Sequence, residues 1–246
     1  MGSRNRWWGR HLPAAGAQPF SLAALATRIA LVGFALAAPA VAQQTLFNVP
    51  SADVLQAGKL YLEEDNLWRP GRPEDTYFTL RAVVGVGSGV EAGVNFGGLV
   101  AEGRSVPTAI LAVKWQPLRT SQWSLTAGAH GQFYLRGNED GTPSGHAYAH
   151  TAWTPVEGTR VTGGVWYASS GYADTEVTTG VLAGFEQRLG PTLVLQADWF
   201  SGNNSLGYFT PGFAWTIGQW VVYAGYSFKN NDSHENAVLI EFGRYL

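Results

Sequence analysis

Thr76-Tyr-Phe-Thr-Leu-Arg-Ala-Val-Val-Gly-Val86 is the stretch on which the fold turns. Phe78, Leu80, Ala82, Val84 and Val86 alternate with Tyr77, Thr79, Arg81 and Val83. Side chains repeat every two residues along a strand and every 3.6 along a helix, and only a strand collects those five apolar residues on one side. The other side is polar or small. Gly87-Ser-Gly89 then supplies a turn, and a second alternating segment begins at Val90.

Working outward, the same pattern fills the rest of the chain. Trp123, Leu125, Ala127 and Ala129 oppose Ser124, Thr126, Gly128 and His130, and near the end Val238, Ile240, Phe242 and Leu246 oppose Glu241, Gly243 and Tyr245. Twelve such segments are expected, at 58–66, 76–86, 90–97, 107–116, 122–136, 146–154, 160–168, 177–187, 192–200, 206–216, 220–228 and 235–246. No stretch carries a convincing helical period.

The connections alternate in length. Short ones are 87–89, 117–121, 155–159, 188–191 and 217–219, and longer polar ones are 67–75, 98–106, 137–145, 169–176, 201–205 and 229–234. Short turns on one side and long loops on the other are the habit of a transmembrane barrel with a periplasmic N-terminus. Aromatic residues follow the same division. Trp115, Trp123, Trp153, Trp215 and Trp220 adjoin short turns, whereas Trp68, Phe96, Phe133, Tyr167, Trp199 and Phe228 adjoin long loops. Two interfacial girdles are implied.

At the N-terminus, Arg4, Arg6, Arg10 and Arg28 precede the apolar run Ile29 to Ala38, followed by Ala40-Val-Ala42. A basic region, a short apolar core and a small-x-small site form a secretory signal peptide, with cleavage expected after Ala42. Its removal takes four of 16 basic residues and none of 18 acidic ones, so the mature chain is acidic. That argues against nucleic acid as a partner. The absence of cysteine removes any need for oxidative folding or a thiolate metal site. A soluble β-sandwich would share the alternation, but not the ordering of tryptophans by turn type. The expected architecture is all-β: a closed antiparallel up-and-down transmembrane β-barrel of about 12 strands. Residues 1–42 are the signal peptide, 43–57 a periplasmic lead segment and 58–246 the barrel, with both termini periplasmic.

The signal peptide, the hairpin array and the closing segment Val238-Leu-Ile-Glu-Phe-Gly-Arg-Tyr-Leu246 resemble bacterial outer-membrane barrels in general. Asn48-Val-Pro-Ser-Ala-Asp-Val-Leu-Gln-Ala-Gly58 resembles the opening of some porin-like families. In such barrels the last strand ends on an aromatic and is read by the assembly machinery. Here Leu246 ends it and Arg244 interrupts the apolar positions. The resemblance implies outer-membrane lipid, lipopolysaccharide and that machinery as partners.

Chemistry is sought on the polar face. Strand parity places Glu63, Arg81, Glu91, Lys114, His130, His150, Glu186, Gln196, Asp198 and Glu241 there as pore-lining residues. Of the mature histidines, His130, His146, His150 and His234, the reading puts His130 and His150 on that face, in adjacent strands. Outer-membrane phospholipases and lipid A deacylases use Ser and His near the rim, but no compact His-x-Ser motif occurs here. Two histidines without a third placed ligand do not define a metal site, and 137–141 and 230–235 lack calcium-loop spacing. No catalytic, cofactor-binding or metal residue is assigned. The leading expectation is a narrow porin-like channel for small polar solutes or cations, since acids outnumber bases on the polar face. The alternatives are a lipid-acting enzyme using the histidines, and a non-conducting structural or surface-binding barrel. In the last, the acids would pair with Arg81, Lys114 and the histidines in a closed network.

Overall fold

The computed structural model describes residues 45–73, 76–101, 104–136, 143–231 and 235–246. The signal-peptide assignment, Gly141 and His234 lie outside these residues. The strands are β1 (Leu60–Trp68), β2 (Thr76–Gly87), β3 (Val90–Ala101), β4 (Arg104–Arg119), β5 (Trp123–Tyr134), β6 (Ser144–Val156), β7 (Thr159–Ala168), β8 (Thr179–Arg188), β9 (Leu193–Phe200), β10 (Tyr208–Ile217), β11 (Trp220–Lys229) and β12 (Ala237–Tyr245). Each pairs with its sequence neighbours, and β12 pairs antiparallel with β1. The barrel of twelve strands is therefore closed and leaves no free edge. The last rung is completed by Leu246 N–H donating to Leu60 O at 2.8 Å.

The wall is inverted relative to a soluble protein. Leu80, Leu111 and Val165 point outward at 56–58% exposure, whereas Glu63, Glu91, Asp198 and Glu241 point inward at 1–4%. Such a surface is stable only against hydrocarbon. Trp123 and Trp153 stack outside at 5.7 Å beside the short turns. Arg244 sits over the Trp220 ring at 4.9 Å, so its charge is placed at the girdle.

Two local expectations are corrected. The connection 98–106 is mostly paired strand, with Gly98 opposite Pro107 and Val100 opposite Ser105, so β3 and β4 run on as a long hairpin. A glycine pair and a proline there read as a loop, but sheet pairing overrides those weak propensities. The loop after β7 contains a single helical turn, α1 (Ser170–Ala173), which the strand pattern did not announce.

The larger correction concerns the lead segment 43–57, expected ahead of the barrel in the periplasm. Residues 45–55 run inside it, and Gln56 and Ala57 are exposed. Leu46, Val49 and Ser51 are completely buried, and Phe47, Ala52 and Leu55 nearly so. The inner wall makes room with glycines. A Cβ on Gly184 would stand 2.7 Å from Leu46 Cδ2, and one on Gly225 would stand 3.0 Å from Phe47 Cζ. Gly85 is required for the same reason, since a Cβ there would meet the Gln56 carbonyl oxygen at 2.0 Å.

Candidate functional site

The interior is built from inward-facing strand positions and the segment that crosses them. Thr45 bridges Pro50, and Leu46 N–H donates to Val49 O at 2.8 Å, so the segment starts as a tight turn. The turn aims three consecutive amides at one carboxylate. Asp198 Oδ2 accepts Phe47 N–H at 3.0 Å, Asn48 N–H at 2.6 Å and Val49 N–H at 2.7 Å. Successive backbone N–H groups curved around an anion form a nest. Asn48 Nδ2 adds a bond to Thr210 Oγ1 at 2.9 Å, and the Gln196 amide donates to the Leu46 carbonyl.

Below that anchor the chain is held rung by rung. Lys114 Nζ reaches Ser51 Oγ at 3.4 Å, and Thr126 Oγ1 donates to Ala52 O at 3.2 Å. Arg160 binds Asp53 Oδ2 at 2.6 Å while its other edge grips Glu186 at 2.5 and 2.6 Å. That bidentate fork fixes the guanidinium plane, so Asp53 meets a positioned partner. Burial raises the Asp53 pKa, and Arg160, with Arg119 at 3.6 Å, more than reverses this, leaving it below the usual carboxylate value. Leu55 N–H donates to Glu91 Oε2 at 2.8 Å, and Glu91 Oε1 meets Lys114 Nζ at 2.9 Å.

A second group lies across β1, β2 and β12. Glu63 and Asp65 share Arg81, at 2.6 and 2.9 Å, and the Tyr61 hydroxyl donates to Glu63. Glu241 stands directly opposite Asp65 in the β1–β12 register.

Of the ten residues placed on the polar face by parity, eight are buried and Arg81 and His130 are half-buried, and the structure brings most of them onto the segment or onto one another. Asp198, Gln196 and Glu91 bond segment backbone; Arg81 and Lys114 bond both acids and segment hydroxyls. Sequence reasoning missed Asp53, Asp65 and Arg160. Asp65 and Arg160 share inward parity with Glu63 and Thr162, so parity could have found them; Asp53 carried no strand signal.

It also left out His146, which shares the inward face of β6 with His150. His146 lies directly opposite His130, with ring centroids 5.4 Å apart. His146, Tyr148 and His150 then stack along one strand, His146 to Tyr148 and Tyr148 to His150 each at 5.7 Å. Tyr172 on α1 stacks on His146 at 5.4 Å and approaches His130 Nδ1 at 3.4 Å, closing this side of the long-loop end. Burial raises the Tyr172 pKa, so the phenol stays protonated. None of the hydrogen bonds of the described histidines goes to a serine hydroxyl, so the nucleophile–base contact of a rim hydrolase is missing from the described residues.

A cavity remains beside the segment. It has a volume of about 50 Å³, lies against Thr45 and Pro50 and is walled by Arg81, Glu91, Asn95, Lys114, His130 and Tyr148. It holds water-sized molecules and no larger solute.

No protein-family model matches the sequence, and no curated protein matches it. Solved structures do match. KdgM porin in complex with disordered oligogalacturonate is 7% identical over 75% of this chain and 98% of that one, with a TM-score of 0.58. A second KdgM porin structure gives 6% identity at the same coverage and TM-score. An outer membrane channel from Pseudomonas putida F1 is 11% identical over 80% of this chain and 98% of that one, at a TM-score of 0.50. At these identities the likeness is one of fold: the chain has the outer-membrane β-barrel architecture.

Proposed function

We propose that this chain is a porin-like channel of the bacterial outer membrane, passing small polar solutes, cations before anions, along a lumen constricted by its own residues 45–55. The observation that carries the reading is the charge of the interior. Asp53, Glu63, Asp65, Glu91, Glu186, Asp198 and Glu241 face inward against Arg81, Lys114 and Arg160. In a narrow, low-dielectric lumen an excess of fixed negative charge concentrates cations. The segment is held largely by hydrogen bonds and ion pairs that water can replace, which suits a constriction that loosens. Outer-membrane lipid and lipopolysaccharide would surround the apolar wall. The assembly machinery would read β12, whose pairing with β1 closes the barrel.

A non-conducting barrel is the second reading. It is favoured by the glycine sockets that receive Leu46 and Phe47, because side-chain sockets suit a permanent plug. The mature chain in a planar bilayer separates the two. Discrete conductance steps, with a reversal potential of cation sign under a salt gradient, support the channel. An anion-selective potential would contradict the charge argument. Silence at high protein load, in wild type and in variants that loosen the segment, would establish the non-conducting barrel.

A further inference from the structure

We propose that Glu63, Asp65 and Glu241 hold a calcium ion on the inner face of the strand pair that closes the barrel. One carboxylate oxygen from each residue lies within 4.8 Å of the others. Calcium bonds oxygen at about 2.3 to 2.6 Å, so ligands on opposite sides of one ion stand about that far apart, whereas magnesium requires a tighter shell.

The register supplies an independent reason. Asp65 and Glu241 are directly opposed on neighbouring strands, an arrangement in which like charges repel. Arg81 relieves part of this, binding Glu63 Oε1 and Asp65 Oδ2. With the ion bound, three carboxylates and one guanidinium carry two net negative charges, the complement of a divalent cation. The oxygens left over match that count. Asp65 Oδ1 and Glu241 Oε2 are buried without a hydrogen-bond partner, and Glu241 is 1% exposed. A buried carboxylate oxygen without a donor is costly, and a hard cation is the partner that satisfies two at once. The surrounding groups include Tyr61 on Glu63, Tyr223 opposite Glu241, and Arg81, with Glu64 within electrostatic reach of Asp65 and Asp198 within reach of Glu241.

The site does not rest on the channel reading; it requires only the closed barrel. A calcium ion there would tie β12 to β1 and add to the stability of closure, because it binds the folded seam and not the open chain.

Terbium tests this on the wild-type barrel, since it replaces calcium among oxygen ligands and its emission is sensitised by nearby tyrosines such as Tyr61 and Tyr223. Chelator-stripped protein titrated with terbium should show one saturable site excited through tyrosine. Calcium should displace it at least tenfold more effectively than magnesium. Glu241→Gln and Asp65→Asn should each weaken binding at least tenfold, whereas Glu157→Gln, in an exposed short turn, should not. If one variant fails to fold, the wild-type competition and the other variant decide. Absence of tyrosine-sensitised emission from wild type, or emission unchanged in a folded Glu241→Gln or Asp65→Asn barrel, would overturn the proposal.

Discussion

Asp198 and Val49, 149 positions apart in the chain, are joined by a 2.7 Å bond from the Val49 amide to a carboxylate oxygen that also accepts two other amides. Asp198 thus acts as the anchor of the inner segment rather than as a free charge in an open pore. Asp198→Asn keeps one acceptor but loses the charge that makes such bonds about twice as strong as neutral ones. Asp198→Ala leaves three amides without that acceptor, each costing about 1–3 kcal/mol if it stays dry. Hydrogen exchange at residues 47–49 should accelerate modestly in the Asn variant and at least tenfold in the Ala variant. Equal protection in all three proteins would show that Asp198 does not anchor the segment.

The socket beneath Phe47 yields a size prediction. A Cβ on Gly225 would stand 3.0 Å from both Phe47 Cε1 and Cζ, and equally close to Thr210 Cγ2. Gly225→Ala should destabilise by about 1–3 kcal/mol through overpacking. Phe47→Ala should cost about 3–5 kcal/mol through the lost aromatic packing. Combined, they should cost less than the sum, since the alanine methyl then enters space the ring has left. Strict additivity in denaturant titrations of the folded barrel would show that the ring does not sit on Gly225.

The division between what could and could not be read from the sequence has a physical basis. Strand parity is local, and it marks Phe78 as outward and Arg81 as inward without knowledge of any partner. Loop lengths and tryptophan placement are likewise written residue by residue. The path of residues 45–57 is not, because Phe47 and Asp53 are held by Asp198 and Arg160, more than a hundred positions later. The inward glycines 184, 212 and 225 were the available trace. They sit on the polar face, where a filled barrel would carry larger side chains, and they mark where something else comes close.

The Asp53 tie predicts a response to acid. Its folded pKa is depressed, because Arg160 outweighs the cost of burial. A depressed carboxylate contributes stability above its unfolded pKa, about 3.9, and loses it as pH falls through that value toward the folded one. Hydrogen exchange over residues 52–55 should therefore be flat between pH 7 and about 5, after correction for intrinsic rates, and should rise below about pH 4. Asp53→Asn should raise the neutral-pH rate and flatten the acid step. An unchanged acid step in that variant would assign the response to another carboxylate.

The lipid-facing wall predicts a depth profile. Leu111 lies mid-strand on the outer surface at 56% exposure, and Val86 lies on the same surface at 61% beside the turn 87–89. Exposure alone would make the two sites equivalent, but the bilayer distinguishes them by depth. Arginine at the midplane costs about 2–4 kcal/mol and near the interface about 0–1, because at the edge the guanidinium reaches headgroups and water. Leu111→Arg should thus lower the lipid-refolding midpoint strongly, and Val86→Arg slightly. In detergent micelles, which deform around a charge, the difference should shrink. Equal costs at 86 and 111 in lipid would mean that this surface does not face a hydrocarbon core.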